Sequence, residues 1–228
     1  MIDDAPLLTI RRRFPRPSSS ELNAFAGLPT GYVVDALGGS GALDPRIKPV
    51  GDALAFHGVA LTCDCGPGDN LAAIGALTVA AKGDVIVSAN GGFTGAAVIG
   101  DLMLGMFRNR GAAAFITDGS VRDFAGIRAV GLPCFAAGVT PNSPARNGPG
   151  TVGQPIVIGG VAVESGDILV GDADGVVVVP RAKIAATIAR LGSVKSAEAA
   201  LEAAVQAGLE IPDFAQRFLD EGRFSEID

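Results

Sequence analysis

The chain has no tryptophan, one tyrosine, one histidine and three cysteines, and only 18% of its 228 residues are charged. Each scarcity excludes a class of protein. Cys63, Cys65 and Cys134 cannot supply a disulfide framework, and the Cys-x-Cys step lacks the wider spacing of common zinc sites. They read as reduced, partly buried thiols in a reducing, cytoplasmic compartment. With 24 acidic against 18 basic residues and a net charge of -6, broad nucleic-acid binding is disfavoured, because its affinity rests on Lys and Arg neutralising phosphates. No uncharged run approaches the roughly 20 residues of a spanning helix, so no membrane partner is expected. The one basic cluster, Arg11, Arg12, Arg13 and Arg16, is followed by Pro17 and serines instead of the apolar segment of an export signal.

Apolar and small residues are plentiful: 48% of the chain is hydrophobic and 32 residues are glycine. That composition suits a tightly packed sheet protein, with enough apolar surface left over to favour a homo-oligomer. The length fits a single domain over residues 1–228, with a flexible arm over 1–17, a core over 18–180 and a helical segment over 181–228. Ser18 to Glu21 can cap a helix running toward Leu37, ended by Gly38-Gly39. Ala53–Cys63 reads as a strand, and Asp69 can cap an apolar helix from Asn70 to Ala81. A strand, helix, strand succession follows: a buried strand over 84–90, a helix from Asp101 to Arg110, and strands over 113–117 and 132–136. Short strands near 160–163, 168–171 and 176–179 form a β-rich layer closed by Pro180. Helices over 181–206 and from Pro212 to about Leu219 complete the chain.

The chemistry concentrates at two helix entrances. Gly100 loosens the backbone before Asp101, an expected N-cap, and the free amides of Leu102 and Met103 at that helix start can hold a carboxylate. The strand over 113–117 leads into Asp118-Gly119-Ser120-Val121-Arg122-Asp123, a fork-shaped cation beside a carboxylate where open α/β sheets place their ligands. If strands 84–90 and 113–117 are neighbours, Asp101 and Arg122-Asp123 emerge at one sheet edge and suit a hard divalent cation plus an anionic substrate. Asn90 to Thr94 and the C-terminal segment are expected to shape the substrate's far end. His57 lies in a predicted strand outside every motif and reads as structural. Asp172-Ala-Asp174-Gly175 lacks the downstream Glu of a calcium loop and reads as a turn.

Asp69-Asn70-Leu71, Gly100-Asp101-Leu102, Asp118 to Asp123, Gly159 to Val163 and Gly171 to Pro180, taken in order, resemble the 4-hydroxy-4-methyl-2-oxoglutarate aldolase family, which also contains the regulator of ribonuclease activity A. The resemblance implies a compact α/β/β/α sandwich of the swivelling phosphohistidine-domain type with C-terminal helices. It also implies a homotrimer or hexamer with sites at subunit boundaries and Mg2+ or Mn2+ held largely by water. By position, Asp123 matches the metal ligand, Asp101 the carboxylate that holds a catalytic water, and Arg122 the residue facing the substrate's oxygens. Gly100, Leu102 and Met103 match the carboxylate clamp, and Glu198, or Glu202 one turn on, the acidic group supplied by a neighbouring subunit.

The reaction this implies is cleavage of 4-hydroxy-4-methyl-2-oxoglutarate or 4-carboxy-4-hydroxy-2-oxoadipate to pyruvate and a second oxo acid, with oxaloacetate decarboxylation as a side activity. No lysine stands within the motif segments to form a Schiff base, so the metal is the expected electron sink. The rival expectations are a non-catalytic protein that binds and inhibits ribonuclease E, and a lyase for another 2-oxo acid.

Overall fold

The computed structural model describes residues 6–227. Along the chain come β1 (Leu8–Ile10), α1 (Ser19–Asn23), α2 (Thr30–Ala36), β2 (Lys48–Pro49), β3 (Phe56–Asp64) and α3 (Leu71–Ala76). The central stretch holds β4 (Asp84–Ala89), β5 (Ala97–Ile99), α4 (Asp101–Asn109), β6 (Ala114–Thr117), β7 (Ser120–Val121), α5 (Phe124–Val130), β8 (Cys134–Ala136) and β9 (Gly138–Val139). After these lie β10 (Gly150–Val152), β11 (Ile156–Ile158), β12 (Val161–Val163), β13 (Ile168–Asp172), β14 (Gly175–Val179), α6 (Ile184–Gln206) and α7 (Asp213–Asp220).

Strands β3, β4, β6 and β8 form the parallel centre of a nine-stranded sheet. Side chains alternate across it, as the pleat requires. Leu61, Ile86 and Phe115 face one core beneath α3, α4 and α5, while Ala60, Val85, Val87 and Ile116 face a second core under β11 to β14. Phe25, Val33, Val177, Val179 and Leu191 close a third core between that β layer and α1, α2 and α6. The layers therefore run α/β/β/α, as expected.

Two expectations need correction. The single helix toward Leu37 is two helices, because Gly27 takes a φ of 67° and Pro29, which donates no N–H, caps α2. Asp172, in the misleading acidic turn, supplies the missing cap by accepting from the Thr30 amide at 2.8 Å. The arm is also not free over its described part. β1 pairs in parallel with β10, and Arg16 grips the fully buried Asp84 through two bonds of 2.6 and 3.0 Å. Residues 1–5 lie outside the described residues.

Beyond the C-terminal ends of β4, β6 and β8, the chain steps into a small parallel sheet of β5, β7 and β9. This satellite sheet carries the entrances of α4 and α5. No described helix is long and apolar enough to cross a membrane.

Candidate active site

Asp101 opens α4 and Asp123 immediately precedes α5, so two carboxylates stand at two helix N-termini, where the backbone's partial positive charge favours them. The expected adjacency holds: β4 and β6 pair in parallel, and Gly100, Asp101, Leu102, Met103, Arg122 and Asp123 all line one cavity of about 400 Å³.

Asp123 is the one non-glycine residue with positive φ among the described residues, at φ 60° and ψ 49°. It occupies the N-cap position of α5, yet its side chain makes no capping bond. The carboxylate instead lies 3.4 Å from Arg122 Nε, with both side chains part exposed. A left-handed aspartate costs backbone strain. Here the strain holds the carboxylate away from the helix amides, toward the cavity.

Two glycines complete the arrangement. A Cβ on Gly100 would collide with Asp123 Oδ2 and stand 3.2 Å from Arg122 Nε. A Cβ on Gly126, inside α5, would collide with Asp101 Oδ2 and stand 2.6 Å from Asp101 Cβ. Each carboxylate therefore fills space left by a missing side chain on the opposite segment.

Asp101 is the first residue of α4 and Gly100 its N-cap, one position earlier than expected. Asp101 Oδ1 accepts from the Leu102 amide at 2.7 Å. Of the two amides expected to clamp a carboxylate, that leaves Met103 N–H, which in the first turn has no intrahelical acceptor. Arg122 donates from Nη1 to Ser143 Oγ at 2.9 Å, which fixes its fork over the cavity.

Among the described residues no three His, Cys, Asp or Glu side chains gather to cage a metal. Two carboxylates in glycine-made niches suit instead a hard cation that keeps much of its water, as Mg2+ does. Asp123 is the better placed donor, since Asp101 Oδ1 is already bonded to Leu102.

Glu198, half-buried, and Glu202, exposed, sit on α6 outside this chain's own cavity, and one or the other is expected to act on the site of a neighbouring subunit; Glu202 accepts from Gln206 at 3.2 Å. The loop after β4 belongs to a different cavity, of about 360 Å³, lined by Gly92, Thr94 and Asp118. Asp118 holds that loop by accepting from the Asn90 and Gly92 amides at 2.6 and 2.9 Å. Burial pushes its carboxyl up while those two bonds pull it down. The three thiols are buried, and burial pushes Cys134 up to about 12.

Sequence reasoning missed Asn70, Gly126, Ser143 and Arg146. Ser143 and Arg146 stand in a loop without periodicity, and only the chain's return past the Gly68–Asn70 turn brings them to the cavity.

A family model described as RraA-like, Aldolase/RraA, matches residues 30–178. The chain is 39% identical over 160 residues to a Halalkalibacterium halodurans protein named "Putative 4-hydroxy-4-methyl-2-oxoglutarate aldolase", covering 70% of this chain and 76% of that one. An uncharacterized protein from Pseudomonas syringae pv. tomato superposes with a TM-score of 0.77 at 28% identity, covering 86% of this chain and 93% of the other. The RNA-processing inhibitor RraA from Thermus thermophilis superposes with a TM-score of 0.63 at 28% identity, covering 67% and 93%. Sequence match and shared α/β architecture agree, and this chain belongs to the RraA-like family.

Proposed function

We propose that the protein is a divalent-metal-dependent carbon–carbon lyase that cleaves 4-hydroxy-4-methyl-2-oxoglutarate or 4-carboxy-4-hydroxy-2-oxoadipate to pyruvate and a second oxo acid, and decarboxylates oxaloacetate as a side activity. The observation that carries this reading is the uncapped, left-handed Asp123 beside Arg122, facing Asp101 across one cavity. A structural aspartate at that position would cap α5.

In this reading Asp123 is the direct holder of Mg2+ or Mn2+. When bound, the cation supplies Lewis acidity to the carboxylate and keto oxygens of a 2-oxo acid. The Met103 amide, at the positive end of α4, orients the substrate carboxylate. Arg122 faces the keto oxygen, where negative charge grows as the bond beyond C3 breaks, and lowers the barrier by favouring the charged state over the neutral ketone. Asp101 positions a water through which the proton of the 4-hydroxyl passes to the carboxylate as the bond beyond C3 breaks, and a proton returned by the same route to C3 of the enolate gives pyruvate. Oxaloacetate needs no removal of a hydroxyl proton and leaves the same pyruvate enolate, so one site serves both reactions.

The trans acidic group is assigned to Glu198 of a second copy in a homotrimer or hexamer. Exposed Leu102, Met106, Phe124 and Val139 support an apolar partner over this end of the molecule. Buried, unpaired thiols suit a cytoplasmic setting. The similarity to an RNA-processing inhibitor favours a second reading, a non-catalytic ribonuclease E binder; the Asp101, Arg122 and Asp123 constellation supports the lyase.

The test is pyruvate release from oxaloacetate and from 4-hydroxy-4-methyl-2-oxoglutarate, followed by coupling to lactate dehydrogenase, with Mg2+, with Mn2+ and with a chelator. Release that the chelator abolishes is expected. Absence of release from both substrates, together with capture of ribonuclease E, would replace the lyase with the binder.

A further inference from the structure

The loop between β9 and β10 brings a second arginine to the cavity. Arg146 lines the same space as Asp101, Arg122 and Asp123. Among the described residues it makes no hydrogen bond and no ion pair, although the chain holds 24 acidic residues against 18 basic ones.

Its backbone is held on both sides by the turn before α3. Ala145 N–H donates to Gly68 O at 2.8 Å, and Asn70 N–H donates to Ala145 O at 3.1 Å. On the other side, the amides of Asn147 and Gly148 donate to Asp69 Oδ2 at 2.6 and 3.2 Å. Asp69 is buried and its other oxygen takes the Leu71 amide at 2.7 Å, so the carboxylate is fully committed to this brace. The brace fixes where the Arg146 side chain starts, at the mouth of the cavity, while the exposed guanidinium itself stays open to a ligand.

The cavity's polar and apolar parts give the ligand's outline. Arg122 is tied to Ser143 of the same loop, so one loop both anchors Arg122 and carries Arg146. Ile74, Leu77, Met103 and Met106 supply apolar wall in the same cavity. Two cations and an apolar lining fit a short carbon chain with an anion at each end.

We infer that Arg146 is the specificity residue of the site and binds the second carboxylate of a dicarboxylic 2-oxo acid, the one that departs with the second product. The inference rests on the lyase reading for the placement of the 2-oxo acid head at Arg122 and Asp123. In aldol cleavage the second carboxylate keeps its charge on the departing oxo acid, so Arg146 holds substrate and transition state alike and acts on KM more than on kcat for that reaction.

The experiment compares 2-oxoglutarate with 2-oxopentanoate, which share the head and chain length and differ only in the terminal carboxylate. Calorimetric titration of both into the Mg2+-loaded full chain, for the wild type, Arg146→Ala and Arg146→Lys, reads recognition without turnover. The wild type is expected to prefer 2-oxoglutarate by about tenfold or more, the scale of one charge-assisted contact. Arg146→Ala should bind the two acids equally. Arg146→Lys should keep part of the preference, having the charge without the fork. Equal binding by the wild type, or a preference that survives in Arg146→Ala, would overturn the assignment. Because pyruvate release tests the lyase and this discrimination does not use it, the two ideas fail separately.

Discussion

The central sheet carries an arginine–aspartate pair at each end, and the two are built in opposite ways. At the start of β4, Asp84 is fully buried, receives Arg16 through two bonds of 2.6 and 3.0 Å, and also accepts from the Ala81 amide at 2.9 Å. Beyond the C-terminal end of β6, Asp123 and Arg122 are sequence neighbours 3.4 Å apart, with part-exposed side chains and an aspartate in a left-handed backbone. The first pair has its hydrogen-bonding capacity spent on the fold. The second leaves capacity open to a ligand, and it stands on a left-handed backbone. The same two residue types thus separate into a staple and a site by how completely each is satisfied.

The sharpest way to break this contrast is to remove each arginine. Arg122→Ala should cut turnover by about 10³-fold, the scale of a lost donor to developing negative charge, while thermal unfolding stays within a degree or two of wild type. Arg16→Ala should do the reverse. It strands a buried carboxylate, which costs about 2 to 3 kcal/mol for a partner that is itself part exposed. In a domain of this size that lowers Tm by roughly 5 to 10 °C while kcat holds at temperatures where the protein is folded. If Arg122→Ala unfolded the chain and Arg16→Ala did not, the roles assigned here would be exchanged.

What was legible in the sequence follows the same division. β4, α4 and β6 were readable because buried strands and a glycine-ended helix leave local patterns, and their adjacency followed from chain order. Asp101, Arg122 and Asp123 were readable because they sit just past those strands. The satellite strands β5, β7 and β9 have only two or three residues each, too few to show a period. β1 gave no signal because its partner, β10, lies about 140 residues downstream. Arg146 was hidden for the same reason: its relation to the cavity is made by Asp69, far away in sequence. Gly100 was read as a loosened backbone, yet its φ of -121° is ordinary and its lack of a side chain makes room for Asp123.

That distinction between flexibility and space yields a smaller effect at the second glycine. Gly126 has an ordinary helical backbone, so alanine there should be neutral or slightly favourable for α5 by propensity alone. The added methyl would press on Asp101, whose Cβ stands 2.6 Å from its position. Displacing that carboxylate should lower aldol cleavage about tenfold, on the scale of impaired general base catalysis. Oxaloacetate decarboxylation, which needs no base, should fall less. An equal loss on both substrates would mean that the methyl disturbs the whole site and not Asp101 alone.

The smallest effect is the most telling for the comparison. Asp123→Gly removes the carboxylate proposed to hold the metal and also the left-handed strain, about 1 kcal/mol or somewhat more for a non-glycine residue. Against that gain stands the greater freedom of glycine in the unfolded chain, about 0.5 to 1 kcal/mol. Loss of the carboxylate's attraction to the α5 N-terminus and to Arg122 takes back a similar amount, so the variant should melt within about 2 °C of wild type by calorimetry without added metal. Added Mg2+ should then stabilise the wild type and leave the variant unmoved, since only binding to the native state shifts the equilibrium. A variant that melts well below wild type would place Asp123 with Asp84, as a residue the fold needs; one that keeps its stability as it loses its response to metal marks a carboxylate that the fold does not need and the site does.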